Sequence, residues 1–150
     1  MRIVIQRVRE ASVSIGGELR SAIGLGLLVL VGVEKGDTAD DAAWLADKTA
    51  ALRIFDDDAG VMNRSVIDAD GDVLAVSQFT LTASTRKGNR PSYIRAAGHD
   101  LAIPLYEEYC RRVGEHTRRP VSKGVFGADM QVSLVNDGPV TITIDSRLRE

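Results

Sequence analysis

Hydrophobic and polar residues alternate along the first segment of the chain, RIVIQRVREASVSI at residues 2–15. This period of two predicts a β-strand that is buried on one face, and the pattern weakens near Arg9–Ala11. The Gly16–Gly17 pair that follows predicts a hairpin turn into a second strand, ELRSAI. The nearly unbroken apolar run from Leu25 to Val33 predicts a third strand that is buried on both faces.

Two later segments carry the three- and four-residue spacing of helices that are buried along one face. The first helix is predicted from about Thr38 to Leu52, because Thr38 and Asp41 form a capping-box sequence before apolar residues at helical spacing. The second is predicted from about Asp100 to Val113, where Pro104 is compatible with a helix only near its first turn. Four apolar residues are predicted to form its buried face: Leu101, Leu105, Tyr109 and Val113.

Short strands and turns fill the remaining segments. The sequence RIF is predicted to be extended, DDDAG to form a turn, and DVLAVSQF at Asp72–Phe79 to form another buried strand. Two further strands are predicted at Gln131–Val135 and Val140–Asp145. Hydrophobic residues have no regular spacing from Thr80 to Ala97, which predicts a loop, and loops of this length are often functional. These elements predict one domain over residues 1–150, of the α+β class, with mostly antiparallel strands and two main helices.

The composition is that of an ordinary globular protein, with 44% hydrophobic and 27% charged residues. Cys110 is the only cysteine, so it is predicted to be a small buried hydrophobic residue in a protein of a reducing compartment. Neither His99 nor His116 stands at a spacing typical of zinc ligands. The N-terminal segment is charged too often for a signal peptide, and the longest apolar run is too short for a membrane span.

The charges are unevenly distributed although the net charge is only −2. Residues 37–72 contain ten acidic and three basic residues, whereas residues 73–124 contain nine basic and four acidic ones. Four of these basic residues lie in the predicted loop at residues 80–97, called the basic loop below: Arg86, Lys87, Arg90 and Arg95. A phosphate-binding patch and an ordinary solvated mixture of charges both fit this distribution.

The first segment whose residues could carry catalytic chemistry is SQFTL, where the predicted strand at Asp72–Phe79 meets the polar loop. Alternation along a strand would place Gln78 and Thr80 on one face and Ser77 and Phe79 on the other. A Gln amide beside an exposed backbone N–H could hold a developing oxyanion, and a hydroxyl could position or attack a substrate. An ordinary polar strand end also fits these residues.

The second segment is NDGPVT at residues 136–141. A simple turn between two strands fits these residues, and is the expected conformation. The proline directly after Gly138 is unusual for a hairpin, since Pro139 lacks a backbone N–H. Glycine permits the close approach of another molecule, so a rigid Gly138–Pro139 projection could sense the shape of a ligand.

Both segments, in this order and at this chain length, resemble the D-aminoacyl-tRNA deacylase family. Further stretches resemble the same family in the same order, so that the resemblance covers nearly the whole chain: IQRVREASV, GLLVLVGVEKGD, RIFDDDAGVMN, NRPSY and FGADMQVSLVNDGPVT. The resemblance implies a barrel-like α+β fold with two helices. It also implies hydrolysis of the ester that joins a D-amino acid, or wrongly attached glycine, to the 3′ end of tRNA.

The resemblance further implies which residues act. Ser77, Gln78, Phe79 and Thr80 would form the catalytic site, and no metal or cofactor would be needed. The protein would be a cytoplasmic homodimer, in which Gly138–Pro139, joined by a cis peptide bond, enters the partner's active site and rejects L-amino acids. Arg7 would hold the Gly-Pro carbonyls through its two-pronged guanidinium group. The basic loop would contact tRNA phosphates.

Two alternatives concern the chemistry. In the first scheme, Thr80 is the nucleophile. In the second, the 2′-OH of the terminal adenosine helps to activate a water while the protein positions the ester. The second scheme is favoured because the sequence shows no residue that would serve as a base for Thr80. Two others concern the function as a whole: a nucleic-acid-binding module without catalysis, and a general esterase for small molecules.

Overall fold

A central β-sheet organises the chain, and the computed structural model describes all residues from 1 to 150. Its elements, in chain order, are β1 (Arg2–Ile15), β2 (Glu18–Ile23), β3 (Gly26–Gly32), α1 (Ala39–Ala51), β4 (Phe55–Asp56), β5 (Met62–Arg64), β6 (Asp72–Ser77), a 3₁₀ helix (Phe79–Thr82), α2 (His99–Thr117), β7 (Ser122–Lys123) and β8 (Gln131–Asp145). The α+β class with two main helices is therefore confirmed.

The sheet is mixed, and its order is β2-β1-β3-β6-β7, with β8 on the other side of β1. β1 pairs antiparallel with β2, β3 and β8, while β3 with β6 and β6 with β7 are parallel. The Ser21 hydroxyl on β2 donates a hydrogen bond to the Lys123 carbonyl on β7 at 2.9 Å. This contact brings two outer strands together, so the sheet curls into a nearly closed barrel, as expected.

Both faces of β3 and β6 are covered by apolar side chains. One face packs against α1 and α2 in the larger core, which contains Leu27, Val29 and Ala75. The opposite face fills the inside of the curled sheet, where Leu28 and Leu74 belong to a second core. The prediction that these strands are buried on both sides is confirmed, because neighbouring residues along each strand enter different cores.

The two helices pack on each other as well as on the sheet. Thr38 caps α1, and the Asp41 carboxylate accepts a hydrogen bond from the Thr38 backbone N–H at 2.8 Å, so the predicted capping box is confirmed. The hydroxyls of Thr49 and Tyr109 are hydrogen-bonded at 2.9 Å inside the helix pair. Burial raises the pKa of the neighbouring Cys110 thiol to about 12, in keeping with an inert core position.

Two predicted boundaries and the predicted position of one proline were wrong. The strand predicted at Asp72–Phe79 ends at Ser77, because the chain turns into the 3₁₀ helix. The second helix continues to Thr117, and Pro104 lies in its second turn instead of its first. Neither α-helix is both long and apolar enough to cross a membrane.

The largest correction concerns the predicted turn at residues 136–141. β8 runs through this segment as one strand, and both of its halves pair antiparallel with β1. Val8 pairs with Asn136 and Gln6 with Thr141, so the four residues 137–140 face only Arg7. The segment is therefore a bulge that projects from an otherwise continuous strand, and not a hairpin.

Candidate active site

A cleft of about 530 Å³ lies where β6 ends. Ser77, Gln78 and Phe79 line it, together with apolar residues of β3, the start of α2 and the segment before β8. A larger groove of about 790 Å³ runs along α2, but most of its charged groups are already paired, as Glu107 is with Lys123 at 2.7 Å. The smaller cleft is the better candidate site, since it combines an apolar lining with a few polar groups.

Gln78 connects the sheet with the 3₁₀ helix. Its backbone N–H donates to the Val31 carbonyl on β3 at 2.7 Å, which is the last bond between these strands. Its side-chain Nε2 donates to the Thr80 hydroxyl oxygen at 2.6 Å. The two side chains therefore meet, as predicted, although they do so across a helical turn and not on one face of a strand.

Two backbone donors have no acceptor in the protein, and the first of them belongs to Phe79, which lines the cleft. The N–H groups of Phe79 and Thr80 make no hydrogen bond, and they follow directly after Gln78. The first N–H groups of any helix lack partners inside the helix. Together with the second N–H of the Gln78 amide, they form a set of donors suited to a negatively charged oxygen.

Close packing on β3 holds this set of donors in place. A Cβ atom at Gly32 would lie 3.0 Å from Leu81 Cβ and 3.1 Å from the Gln78 carbonyl oxygen. The 3₁₀ helix therefore rests directly on the backbone of β3 at this point, and a larger residue would push it away.

Several lining residues come from segments that the sequence analysis did not connect with the site. Phe126 and Met130 lie in the segment before β8, and His99 begins α2 with its ring edge against Phe126 at 5.5 Å between centroids. Phe79 is 56% exposed and packs edge-on against Tyr93 at 5.1 Å. No local pattern marks these residues, because only the tertiary fold brings them together.

No group positioned as a base contacts the hydroxyls of the site. The Thr80 hydroxyl is hydrogen-bonded to the Gln78 amide, which donates and does not remove a proton. His99 lines the cleft but forms no hydrogen bond with Ser77 or Thr80, and His116 pairs with Asp47 at 2.7 Å elsewhere. The geometry thus contains donors for an oxyanion, and no activated side-chain nucleophile.

The Gly138–Pro139 bulge is held by side chains on both sides. The peptide bond between these residues is cis. The Asn136 carboxamide accepts from the Val140 N–H and donates to the Thr141 hydroxyl, each at 3.0 Å. Gly138 has a φ of +128°, and a Cβ there would lie 2.9 Å from a Val140 methyl group, so another residue would displace the bulge.

Arg7 supports the bulge in a way that differs from the prediction. Its Nε donates to the Asp137 carbonyl at 3.0 Å, and its Nη1 donates to the Ile54 carbonyl at 2.6 Å. The guanidinium group thus binds two carbonyls, but neither belongs to Gly138 or Pro139. Arg7 is only 7% exposed, so it ties the base of the bulge to the β4 side of the fold.

The bulge lies far from the cleft of its own chain. Arg7, opposite the bulge, pairs with Leu27 on β3, whereas Gln78 bonds to Val31 four residues further along that strand. Residues rise about 3.3 Å along a strand, and three strand spacings of about 4.8 Å separate β8 from β6. The path along the sheet from Gly138–Pro139 to Gln78 is therefore about 20 Å.

The basic loop divides into two parts. Arg86, Lys87 and Arg90 are exposed and form no ion pair or hydrogen bond with another residue. Arg95 is half-exposed, but it contacts Glu34 at 3.6 Å and donates to the Thr82 carbonyl at 3.2 Å. Only the first three are thus free to meet an anionic ligand without breaking contacts.

Comparisons with known proteins agree with this fold. The family model for D-Tyr-tRNA(Tyr) deacylase matches residues 4–145. Proteins named D-aminoacyl-tRNA deacylase from Parabacteroides distasonis and Porphyromonas gingivalis are 61% and 60% identical over 150 residues, covering 100% of both chains in each case.

Two solved structures are similar. A c-Myc DNA unwinding element binding protein gives a TM-score of 0.92 at 40% identity, covering 97% of this chain and 98% of that one. A probable eukaryotic D-amino acid tRNA deacylase gives a TM-score of 0.81 at 16% identity, covering 95% and 97%, and supports the fold alone.

These findings define the protein, first of all, as a hydrolase that acts on an ester bond. A cleft whose lining combines apolar residues with Ser77 and Gln78 is compatible with that class. Within the class, the chain belongs to the D-Tyr-tRNA(Tyr) deacylase family, whose model matches nearly its whole length.

The two arginines beside the bulge allow a comparison of how much a buried and an exposed arginine contribute to stability. Arg7 and Arg9 both contact Asp137, but the Arg7 side chain is 9% exposed and that of Arg9 is 73% exposed. We expect Arg7→Ala to lower the free energy of unfolding by about 3 kcal/mol, since it leaves buried carbonyls without donors. Arg9→Ala should cost less than about 1 kcal/mol. Urea unfolding at equal protein concentration measures the free energy of unfolding of both variants. Equal losses of stability would contradict the role of Arg7 as a buried brace of the bulge.

Proposed function

We propose that this protein hydrolyses the ester of D-aminoacyl-tRNA and of glycine attached to the wrong tRNA, releasing the amino acid and free tRNA. The observation that carries the proposal is the pair of unpartnered N–H groups at Phe79 and Thr80, directly after Gln78, where Gln78 and Phe79 line the cleft. The family membership supplies the class of substrate. The whole chain of residues 1–150 would act as one deacylase domain.

The reaction requires a water to attack the ester carbonyl carbon. The carbonyl oxygen becomes negative, and the two backbone N–H groups and the Gln78 amide donate to it. The bond from the carbonyl carbon to the ribose 3′ oxygen then breaks, and that oxygen receives a proton. Ser77 lines the cleft next to these donors and helps to position the ester.

The water is activated by the substrate and not by a side chain. The terminal adenosine carries a 2′-OH beside the esterified 3′ oxygen, so that hydroxyl is within reach of the attacking water. Thr80 is the less favoured nucleophile, since its hydroxyl faces an amide donor and no base. Its side chain would orient Gln78, and its backbone N–H would bind the oxyanion.

Chiral selection is assigned to the Gly138–Pro139 bulge of a second copy of the chain. Both residues are exposed, and the bulge is braced by Arg7 and Asn136. A rigid bulge over the cleft would collide with the side chain of an L-amino acid, whereas a D side chain points away and glycine has none. Exclusion by collision is an effective way to protect the abundant L-aminoacyl-tRNA.

The position of the bulge supports a homodimer as part of the proposal. The path of about 20 Å along the sheet keeps Gly138–Pro139 from its own cleft, so only a partner's bulge could reach it. β8 has one unpaired edge and exposes Leu134 and Val135, which suits an interface between two copies.

The tRNA acceptor end would lie across the free bases of the loop. Arg86, Lys87 and Arg90 are exposed and unpaired, so they are available to phosphate groups. Arg95 is a weaker candidate because Glu34 and the Thr82 carbonyl already bind it. Since charged tRNA is made and used in the cytoplasm, the enzyme would act there.

The first test compares D-Tyr-tRNA with L-Tyr-tRNA as substrates. We expect rapid hydrolysis of the D form and none of the L form above buffer, since a collision of about 4 kcal/mol corresponds to roughly a thousandfold difference in rate. Gln78→Ala should lower kcat on the D form by about 10²- to 10³-fold. The exposed Gln131→Ala serves as control. Binding without hydrolysis would favour a nucleic-acid-binding module, and equal hydrolysis of aryl esters would favour a general esterase.

The second test separates the two chemical schemes. D-Tyr-tRNA that ends in 2′-deoxyadenosine should be hydrolysed about 100-fold more slowly or worse, because the hydroxyl that activates water is missing. Thr80→Ala should keep activity within about tenfold of the original protein, since its backbone N–H remains. Near-total loss in folded Thr80→Ala, with normal hydrolysis of the deoxy substrate, would establish Thr80 as the nucleophile instead.

The third test asks whether the bulge acts on the partner. Chains carrying Gln78→Ala have a defective cleft and an intact bulge; chains carrying Gly138→Ala have the reverse. A mixed dimer would join the intact bulge of the first chain with the intact cleft of the second. We expect co-expressed dimers to hydrolyse D-Tyr-tRNA and to reject L-Tyr-tRNA at one site. Selectivity no better than that of the Gly138→Ala protein alone would contradict an action across the interface.

A further inference from the structure

The backbone of the Gln78–Thr82 segment is bonded asymmetrically. Every carbonyl oxygen in it accepts a hydrogen bond: Gln78 from the Leu81 N–H, Phe79 from the Thr82 hydroxyl, Thr80 from the Ala83 N–H, Leu81 from Arg2 and Thr82 from Arg95. The N–H groups of Phe79 and Thr80 remain without acceptors. The segment is thus anchored by the Gln78 N–H at its start and by all five of its carbonyls, while the first two N–H donors of the 3₁₀ helix stay open.

Arg95 binds the far end of the 3₁₀ helix from the basic loop. Its Nη2 donates to the Thr82 carbonyl at 3.2 Å and lies 3.6 Å from the Glu34 carboxylate. The Glu34 side chain is only 10% exposed, and its Oε1 accepts no hydrogen bond. A buried carboxylate of this kind holds a guanidinium group in place by charge.

Arg2, the first residue of β1, binds the preceding carbonyl. Its Nη1 donates to the Leu81 carbonyl at 2.8 Å, and its Nε and Nη2 donate to the Asp145 carboxylate at 3.1 and 2.9 Å. Burial alone would raise the pKa of Asp145, but hydrogen bonds from the Arg147 N–H and from Arg2 outweigh it and hold that pKa below its usual value. The carboxylate is therefore charged at neutral pH.

The geometry points to Arg2 and Arg95 as positioning residues for ester hydrolysis: two guanidinium groups, each paired with a carboxylate, hold the last two carbonyls of the 3₁₀ helix and thereby fix its open N–H donors. This inference rests on the proposed function of those donors. It assigns Arg95 a role in the rate of the chemical step and not in tRNA binding. A shift of about 1 Å in such donors can cost 100-fold in rate.

The placement of Arg95 distinguishes it from its neighbours in the loop. Arg86, Lys87 and Arg90 have no partner, so a phosphate can bind them at no cost to the fold. A phosphate at Arg95 would compete with Glu34 and would loosen the Thr82 carbonyl. A positioning residue and a phosphate contact predict different kinetics, because the first affects kcat and the second affects KM and its dependence on salt.

The experiment measures kcat and KM for D-Tyr-tRNA at several salt concentrations. We expect Arg95→Ala and Arg2→Ala each to lower kcat by roughly 10- to 100-fold, with KM and the salt slope unchanged. Arg95→Lys should recover part of the rate, since an ammonium group can still donate to one carbonyl. Arg95→Ala could instead raise KM, leave kcat unchanged and reduce the slope of the salt dependence of KM by about one. That result would make Arg95 a tRNA contact and overturn the inference.

Arg119→Ala is the matched control. Arg119 likewise donates to a backbone carbonyl, that of Asp70 at 3.0 Å, and to a carboxylate, that of Asp72 at 3.2 Å, but it lies outside the cleft. Its loss should leave kcat unchanged. A fall in kcat equal to that of Arg95→Ala would mean that loss of any such arginine acts through general stability, which contradicts a positioning role.

A second readout does not depend on activity. Amide hydrogen exchange at Leu81 and Ala83 reports the two bonds that close the 3₁₀ helix. Arg95→Ala and Arg2→Ala should speed this exchange at least tenfold while exchange in the core of β3 stays the same; unchanged exchange would overturn the inference. If the variants were unstable, Glu34→Gln should speed the same exchange, since it weakens the hold on Arg95. An unaltered protein that hydrolyses no D-aminoacyl-tRNA would refute the proposed function alone.

Discussion

The hydrogen bond from the Gln78 N–H to the Val31 carbonyl is the constraint on which the site depends. It is the last bond between β6 and the strand beside it, and the chain turns into the 3₁₀ helix immediately afterwards. In a continued strand the following N–H groups would point alternately away from β3 and toward it, where a neighbouring strand could pair them. Because the strand stops here, two donors are left open next to a cleft, while the buried sheet keeps the residue before them rigid.

The surrounding side chains preserve that open state. Gly32 lets the 3₁₀ helix rest on β3, and Arg2 and Arg95 occupy the carbonyls at its other end. Unpaired donors usually cost free energy when they are buried, but these lie at the mouth of a cleft where water reaches them. The enzyme of this proposal therefore needs no activated side chain, only fixed donors and a substrate that carries its own hydroxyl group.

The sequence alone predicted the elements that depend on local pattern. The capping box at Thr38, the doubly buried strand β3 and the helix α1 follow from spacing and residue type, and the structure confirms them. The bulge at residues 137–140 escaped prediction, because turn-forming residues look the same in a hairpin and in a projection from one strand; only the pairing of both halves with β1 distinguishes them. The lining by Phe126 and His99 depends on contacts between distant segments, for which no local signal exists.

The same long-range pairing explains how rate and selectivity can be separate properties. The donors of the cleft are fixed by β3 and by two arginines, whereas the bulge is fixed by Arg7, five residues further along β1 than Arg2. One strand, β8, carries both the bulge and, at its end, Asp145, which binds Arg2. In a dimer each β8 would thus support the chemistry of its own subunit and the exclusion of L-amino acids in its partner. Neither task would then limit the geometry of the other, since a bulge that excludes by collision needs no contact with the reacting atoms.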